Sequence, residues 1–217
     1  MYQLHGFSQS GNTYKVALLL QALKQPWTPV HVTFEAFAGG VTRSPDWRQQ
    51  QNEMGEVPIL EFEGHKWSQS AAIMVQLAER HGAFGGQTAD ERYEVLRWLF
   101  FDNHKFTSYF ATYRFMKSFA PTAPDPVVSA WLLGRMDNAF GIVEKHLAER
   151  RFIAGQQPTI ADMSLCGYLY FPPDESGYDI AGRYPAIVRW LDRLKSALPG
   201  WKPPYEMLPG AQVPPRW

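Results

Sequence analysis

The fold is decided by the stretch Ser8-Gln9-Ser10-Gly11-Asn12-Thr13-Tyr14-Lys15-Val16, which lies between two apolar patterns. Before it, Tyr2–Gly6 has the alternation of a short strand, and after it Val16–Leu20 gives a helix a broad apolar face. Asn12 or Thr13 can cap that helix at its N-terminus. The stretch therefore predicts a strand, then a polar loop that carries hydroxyl groups, then a buried helix.

Two further pieces follow along the chain. Val57-Pro58-Ile59-Leu60 begins a third strand, after a second strand within Trp27–Phe34. Glu63-Gly64 then predicts a tight turn into a fourth strand, and a helix starts at Ser68 or Gln69. Backbone N–H groups at a helix start are unpaired, so this third piece can hold an anion.

The resulting order is β-α-β-α-β-β-α, which is the thioredoxin-like pattern and ends near residue 82. Because the first three strands alternate with helices, they are predicted to be parallel neighbours, and the hairpin adds an antiparallel edge. The sequence therefore predicts an α/β thioredoxin-like domain over residues 1–82.

A glycine-rich linker over residues 83–89 separates this domain from an all-α domain over residues 90–217. Asp90–Lys117 contains neither Pro nor Gly and predicts one long helix with an acidic start. Further helices are predicted over Val127–Arg150, from Pro158 and over Tyr184–Leu198. The proline-rich tail, Pro199–Trp217, is predicted to be non-helical.

Composition limits the function classes. Lys and Arg total 21 and Asp and Glu total 21, so the formal charge is zero, and a nucleic-acid partner is not expected. The single cysteine, Cys166, excludes an internal disulfide framework and indicates a reducing compartment. Since the chain shows neither a signal-peptide pattern nor a stretch of about 20 apolar residues, we expect a cytoplasmic protein without a membrane partner. No metal site is predicted.

In their order and spacing, the Ser8–Val16 stretch, Val57-Pro58 and Gln69-Ser70 resemble the glutathione-binding half of the cytosolic glutathione S-transferases, and among them the bacterial, serine-type members. With the all-α second half, the resemblance covers nearly the whole chain. It implies that glutathione is the co-substrate and that its thiolate attacks a small hydrophobic electrophile, as in detoxification. It also implies a homodimer.

Ser10 is the first candidate for the catalytic residue. In serine-type members the catalytic Ser lies five residues before a basic residue, and Ser10 precedes Lys15 at that spacing. A hydroxyl donor at a helix N-terminus favours a thiolate over a thiol. A second subgroup, with glutathione-disulfide reductase chemistry, uses an Asn three residues before the Lys, and Asn12 occupies that position. Ser8 is the third candidate.

The resemblance also assigns glutathione binding to Val57, Pro58, Gln69 and Ser70. A cis peptide before Pro58 would turn the backbone of Val57 towards the cysteinyl part of glutathione for antiparallel pairing. The α-carboxylate of the γ-glutamyl group would bind the amide and hydroxyl of Ser70, and Gln69 would accept from the ammonium.

Glu56 departs from the family pattern. Many members carry a basic or amide side chain just before the Val/Ile-Pro pair, where it reaches the glycyl carboxylate of glutathione, and a Glu there brings a like charge. Either Glu56 points away, or another side chain binds the glycyl carboxylate. The candidates are Arg43, Arg48, Gln51 and Asn52.

Two features of the second half complete the expectations. Thr159 and Asp162 have capping-box spacing, and the resemblance implies a buried box that supports folding. The helix from Asp90 carries more large apolar residues than one protomer can cover, which predicts a two-fold dimer. In that dimer Asp102 or Asn103 would reach the γ-glutamyl ammonium bound by the other protomer.

Two other functions stay open. One is a glutathione-dependent disulfide-bond oxidoreductase, in which glutathione is the reductant. The other is a non-catalytic module with the same fold, used for assembly or ligand carriage. The set Ser10, Pro58 and Ser70 favours an enzyme, whereas failure to bind glutathione would favour the module.

Overall fold

The computed structural model describes residues 1–212 and 216–217, which form two compact units. The first unit contains Met1–Ala83 together with Pro199–Gln212, and the second contains Phe84–Leu198 with the last two residues. Most of the proline-rich tail therefore groups with the N-terminal unit, although its position in the sequence suggests the helical domain. The prediction that this tail is non-helical is wrong for the short helix Pro204–Met207, because proline is tolerated in the first turn of a helix. The composition of the tail carries no information about the surface that it contacts.

The first unit is built on a four-stranded mixed sheet. Its strands are β1 (Tyr2–Gly6), β2 (Trp27–His31), β3 (Ile59–Phe62) and β4 (His65–Ser68), in the order β2-β1-β3-β4. β1 and β2 are parallel, but β3 is antiparallel to both β1 and β4. The prediction that the first three strands are parallel neighbours is wrong for β3. Ile59 and Leu60 are buried whichever way the strand runs, so the apolar pattern does not encode its direction.

The predicted hairpin between β3 and β4 is present. Glu63 and Gly64 form its turn, with φ values of 51° and 78°. A two-residue hairpin turn of this kind needs a positive φ at both positions, and glycine adopts it without steric cost.

The α-helices, in chain order, are α1 (Gly11–Ala22), α2 (Phe34–Ala38), α3 (Pro45–Gln50), α4 (Ser70–His81), α5 (Ala89–Phe101), α6 (Thr107–Ser118), α7 (Pro126–Ala148), α8 (Ile160–Leu165), α9 (Ile180–Arg183), α10 (Pro185–Ala197) and α11 (Pro204–Met207). In the first unit α1 packs against α4, whose Ile73, Met74 and Leu77 are fully buried. The second unit consists of helices, as predicted. In the described part of the chain, none of these helices has both the length and the apolar character needed to cross a bilayer.

The long helix predicted over Asp90–Lys117 is interrupted. A π-helical segment, Asp102–Phe106, joins α5 to α6. The fully buried carboxylate of Asp102 accepts hydrogen bonds from Thr107 Oγ1 and Ser164 Oγ, each at 2.5 Å. These bonds hold Asp102 inside the second unit, so the expectation that it reaches a glutathione molecule on another protomer is wrong. Asn103 is exposed.

α8 begins with the predicted capping box. The Asp162 carboxylate accepts from the Thr159 amide at 2.9 Å and from the Thr159 hydroxyl at 3.0 Å. It also accepts from the Ile153 amide at 2.8 Å and from the Trp190 indole N–H at 2.9 Å. The carboxylate therefore joins the start of α8 to the preceding loop and to α10.

Candidate functional site

The loop between β1 and α1 places Ser10 at the N-cap of α1. Ser10 Oγ accepts a hydrogen bond from the Thr13 backbone N–H at 3.1 Å, and the residue as a whole is 8% exposed. A serine hydroxyl can donate while it accepts. Within residues 1–212 and 216–217 no protein group accepts a hydrogen bond from the Ser10 hydroxyl. The hydroxyl hydrogen can therefore be donated to a ligand.

The start of α1 is electrostatically suited to an anion. Its first turn contains no acidic side chain, so the positive end of the helix dipole is not neutralised by its own sequence. Lys15, one turn further on, is fully buried. A thiolate beside Ser10 would gain both from the hydroxyl donor and from the helix end.

Ser8 is less suitable than Ser10 for a role in chemistry. It is fully buried, and its Oγ donates to Gln9 Oε1 at 3.3 Å. Gly210 of the C-terminal tail packs directly against the Ser8 hydroxyl. The structure therefore favours Ser10 and Asn12 over Ser8, which stays the third candidate.

Asn12 and Ser70 bring two of the predicted pieces together. They are 58 positions apart in the sequence, and Ser70 Oγ lies 3.5 Å from Asn12 Oδ1. Asn12 is at the start of α1, and Ser70 is the first residue of α4. The N-terminal ends of two helices thus adjoin within the first unit.

Gln69 precedes α4 in an unusual backbone conformation. Its φ is 66°, its side chain does not cap the helix, and the first turn of α4 holds no acidic residue. A positive φ costs free energy at any residue other than glycine, and residues in such conformations are concentrated at functional sites. The Gln69 amide instead donates to Glu56 Oε2 at 2.9 Å. The N–H groups at the start of α4 are therefore not satisfied by the Gln69 side chain.

Val57 and Pro58 lie just before β3 and are buried. The peptide bond between them is cis, as the resemblance implies. The ladder between β3 and β4 begins at Ile59, so the backbone of Val57 lies beyond the last pair of this hairpin.

The segment before Val57 is organised by Asn52. Its Nδ2 donates to the Glu56 carbonyl at 2.8 Å, and its Oδ1 accepts from the Met54 amide at 3.1 Å. Asn52 is therefore engaged in shaping the loop that leads to Glu56, and it is the least suitable of the four candidates for the glycyl carboxylate.

Arg43 and Arg48 both lie against Gly55. A Cβ built at Gly55 would be 3.1 Å from Arg43 Cγ and 3.1 Å from Arg48 Nε. Both arginines are exposed, and within the described residues neither has a carboxylate at ion-pair distance. Two exposed arginine side chains therefore lie beside Gly55, the residue that precedes Glu56.

The sequence analysis missed one set of residues near Ser10. The tail segment Pro209–Ala211 contacts Ser8 and Gln9, and the Ser8 amide donates to the Pro209 carbonyl at 3.0 Å. No local pattern signals such a contact, because it joins the two ends of the chain. In the part of the chain that the structure describes, no group of three or more His, Cys, Asp or Glu side chains could hold a metal ion.

Two family profiles match the chain. The profile "Glutathione S-transferase, N-terminal domain" matches residues 4–87, and "Glutathione S-transferase, C-terminal domain" matches residues 77–193. Their meeting point falls close to the boundary between the two units at Ala83.

Solved structures are similar over nearly all of the chain. A glutathione S-transferase from Pseudomonas fluorescens Pf-5 is 32% identical, with 90% of this chain and 94% of that chain covered and a TM-score of 0.80. One from Xanthobacter autotrophicus Py2 is 31% identical, with 96% and 100% covered and a TM-score of 0.83. A glutathione transferase from Pseudomonas putida, solved with one glutathione disulfide per subunit, is 21% identical, with 89% and 86% covered and a TM-score of 0.77, which shows the fold alone. The chain belongs to the glutathione S-transferase family.

Proposed function

We propose that this protein is a glutathione transferase that binds glutathione on its first unit and activates the thiolate for attack on a small hydrophobic electrophile. The observation that carries the proposal is the approach of Asn12 to Ser70, at 3.5 Å, which brings the start of α1 beside the start of α4. Ser10 offers a hydroxyl donor at one helix start, and Ser70 offers an anion site at the other. These are the two features that the cysteinyl thiol and the γ-glutamyl carboxylate of one glutathione molecule require.

The reaction begins with ionisation of the thiol. A free thiol has a pKa of about 8.5, so only a minority is thiolate at neutral pH. A charge-assisted hydrogen bond of about 1.5–3 kcal/mol from Ser10 would lower the pKa by roughly one to two units, since one unit corresponds to about 1.4 kcal/mol. The thiol proton passes to solvent, the thiolate donates an electron pair to the electrophilic carbon, and a C–S bond forms as the leaving group departs with its bonding pair.

The γ-glutamyl head binds at the start of α4. Its carboxylate accepts from the Ser70 amide and hydroxyl, at the positive end of the helix. Its ammonium lies beside Gln69 Oε1 and the Glu56 carboxylate, which is exposed and 2.9 Å from Gln69 Nε2. In this position Glu56 pairs with the ammonium, which gives the departure from the family pattern a favourable role.

Val57 binds the middle of the tripeptide. Its backbone groups pair in antiparallel fashion with the cysteinyl backbone of glutathione, so that the ligand adds a short strand next to β3. This pairing aligns the thiol with the loop that carries Ser10.

The glycyl carboxylate binds Arg43 and Arg48, because both are exposed beside Gly55 and unpaired within the described residues. We expect the double variant Arg43→Ala/Arg48→Ala to raise the Kd for glutathione about tenfold, the equivalent of about 1.4 kcal/mol, with turnover at saturating glutathione nearly unchanged. Titration calorimetry measures the Kd. Arg80→Ala is the matched control, because Arg80 is an arginine of the same unit that pairs with Glu63 instead. An unchanged Kd in the double variant would exclude these two side chains.

The second candidate function is glutathione-dependent disulfide reduction. The observation that favours it is the exposure of Asn12, which is greater than that of Ser10, next to Ser70. In this reaction the thiolate of one glutathione attacks a disulfide, which forms a mixed disulfide and releases a thiolate that the Asn12 amide stabilises. A second glutathione then attacks the mixed disulfide, so that the other thiol is released and glutathione disulfide is formed. Both reactions use reduced glutathione, and we place them in the cytoplasm, where thiols are kept reduced.

The function is tested by two measurements on the wild-type protein. Calorimetry with reduced glutathione tests binding, and a panel of electrophiles and small disulfides tests the reaction class. Binding with conjugation supports the transferase, and binding with disulfide reduction alone supports the second candidate. A folded protein that binds no glutathione would overturn both and leave the non-catalytic module.

We further propose that the protein is a homodimer that buries the outer face of α5. Tyr93, Leu96 and Phe100 lie on this face at helical spacing, and all three are exposed. Such a stripe of large apolar side chains is typical of an interaction surface. A second copy with two-fold symmetry covers it with the same stripe of its own.

Substitution of Phe100, whose surface is 75% exposed, by aspartate tests this dimer. We expect wild type to scatter light as twice the 24.8 kDa chain mass and Phe100→Asp to scatter as a monomer at micromolar concentration, because the dimer cannot bury an unpaired charge. Val127→Asp is the matched control, since Val127 is at least as exposed but lies on α7. Equal masses for wild type and Phe100→Asp would exclude this face as the interface.

A further inference from the structure

The C-terminal segment Pro209–Ala211 lies against the loop that leads to Ser10. The Ser8 backbone N–H donates to the Pro209 carbonyl at 3.0 Å. Gln9 Nε2 donates to the Ala211 carbonyl at 2.6 Å. The last part of the chain thus satisfies polar groups of two consecutive residues that immediately precede Ser10.

Gly210, between these two carbonyls, makes the close approach possible. Its φ is 125°, a conformation that favours glycine. A Cβ built at this position would collide with Ser8 Oγ and would lie 3.3 Å from Gln9 Oε1. Any larger residue would therefore have to displace either the tail or the loop.

The segment is held in place by the tail that precedes it. Lys202 contributes its carbonyl, which accepts from the Tyr14 hydroxyl of α1 at 2.9 Å. α11 packs against α1, and Leu208 is buried. The tail therefore approaches the loop as an ordered part of the first unit and not as a loose end.

These contacts bear on Ser10 because the loop has little freedom of its own. Ser8 and Gln9 are buried, and the Ser10 amide donates to Phe7 O at 3.2 Å. The direction of the Ser10 hydroxyl depends on where Ser8 and Gln9 are held. A donor that stabilises an anion must be in place before the charge develops, and a displacement of about 1 Å can remove most of its effect.

We propose that Pro209–Ala211 is a positioning segment for the Ser10 hydroxyl and acts through Gln9. The inference rests on the proposed function. In this arrangement Gln9 is a positioning residue that does not touch the substrate. The tail carbonyl of Ala211 fixes the Gln9 side chain, Gly210 lets the tail approach Ser8, and the loop then holds Ser10 at the thiol of bound glutathione.

The test measures the pKa of the bound thiol, which needs no knowledge of the electrophile. Ultraviolet absorbance of the thiolate is followed against pH in the complex of the full-length protein with reduced glutathione. Gln9→Met keeps the length of the side chain but lacks both the donor to Ala211 and the acceptor of the Ser8 hydroxyl. We expect it to raise the pKa of the bound thiol by about one unit, a tenfold fall in the ratio of thiolate to thiol. Gly210→Ala should act in the same direction, and the Kd for glutathione should stay within about twofold of wild type.

Gly64→Ala is the matched control. Gly64 also has a positive φ, of 78°, but a Cβ there meets nothing within 4 Å. Gly64→Ala therefore also places a side chain at a positive φ but adds no contact, and the pKa of the bound thiol should not change.

The outcomes separate the two proposals. If wild type binds glutathione without lowering the pKa of its thiol, the proposed function fails and the positioning role fails with it. If wild type lowers the pKa of the bound thiol, and Gln9→Met and Gly210→Ala lower it by the same amount as wild type, only the positioning role is overturned. Should Gly210→Ala not fold, Gln9→Met decides alone, because it introduces neither a collision nor backbone strain.

Discussion

Ser10→Ala is expected to lower the rate of glutathione conjugation at neutral pH by roughly 10- to 25-fold, the loss of thiolate that follows when the pKa of the bound thiol rises by one to two units to about 8.5. The reason is that the Ser10 hydroxyl hydrogen has no acceptor within the described residues and is available to the sulfur of bound glutathione. Glutathione should still bind, because Ser70, Gln69 and the backbone of Val57 are unchanged. Steady-state kinetics with glutathione and the best electrophile of the panel measure the effect on turnover.

The pH dependence of this variant identifies the mechanism. If Ser10 acts by stabilising the thiolate, its loss moves the pKa of the bound thiol up towards the free value of about 8.5. The difference in conjugation rate between wild type and Ser10→Ala should then shrink as the pH rises to about 9, where the thiol ionises without the hydroxyl donor. If Ser10→Ala were slower than wild type by the same factor at every pH, the cause would be a misplaced substrate and not a raised pKa of the bound thiol.

Ser10 is also the N-cap of α1, so its removal has a structural cost of about 1 kcal/mol. Thr88→Ala is the control for this cost. Thr88 caps α5 and accepts from the Glu91 amide at 3.1 Å, the same distance as between Ser10 Oγ and the Thr13 amide. Both variants should lose similar stability, but only Ser10→Ala should lose activity. Full activity in Ser10→Ala together with an inactive Asn12→Ala would transfer the catalytic role to Asn12.

Local patterns predicted most elements of this fold. The strand before Ser8, the helix after it, the hairpin at Glu63-Gly64 and the capping box at Asp162 each depend on residues close in sequence, and each is present. The direction of β3 was predicted wrongly, because burial of Ile59 and Leu60 is compatible with either direction. The π-helical segment was missed because it coincides with non-local bonds, such as that from Ser164 to Asp102.

In the candidate site, too, the features set by local sequence were predicted and those set by non-local contacts were not. Ser10, Asn12 and Ser70 were chosen from three short motifs, and the structure brings Asn12 and Ser70 to 3.5 Å. The bond between Gln69 and Glu56 could not be read from the sequence, since it depends on the backbone conformation of Gln69. Nor could the contact of Gly210 with Ser8, which depends on the path of the whole C-terminal tail.

Asp162→Ala is expected to produce the largest loss of stability, about 3–5 kcal/mol in the free energy of unfolding. The carboxylate is fully buried and accepts four hydrogen bonds, which come from Ile153, Thr159 and Trp190. Alanine leaves the amides of Ile153 and Thr159 and the indole N–H of Trp190 buried without this acceptor, and each unsatisfied group costs about 1–3 kcal/mol. Urea denaturation followed by circular dichroism measures the loss.

Two comparison variants show whether the acceptor role of Asp162 is the cause. Asp162→Asn keeps the shape but replaces one oxygen by an NH₂ group, which then faces donors, so it should also destabilise, although less than alanine. Asp192→Ala removes an exposed carboxylate of α10 that forms an ion pair with Lys195 at 3.0 Å, and it should change stability by less than about 0.5 kcal/mol. Burial raises the pKa of the Asp162 carboxyl and the bonds from Ile153, Thr159 and Trp190 lower it, so these donors offset part of the cost of placing the group inside the unit. If Asp162→Asn proved as stable as wild type, the hydrogen bonds that Asp162 accepts would not explain its contribution to stability.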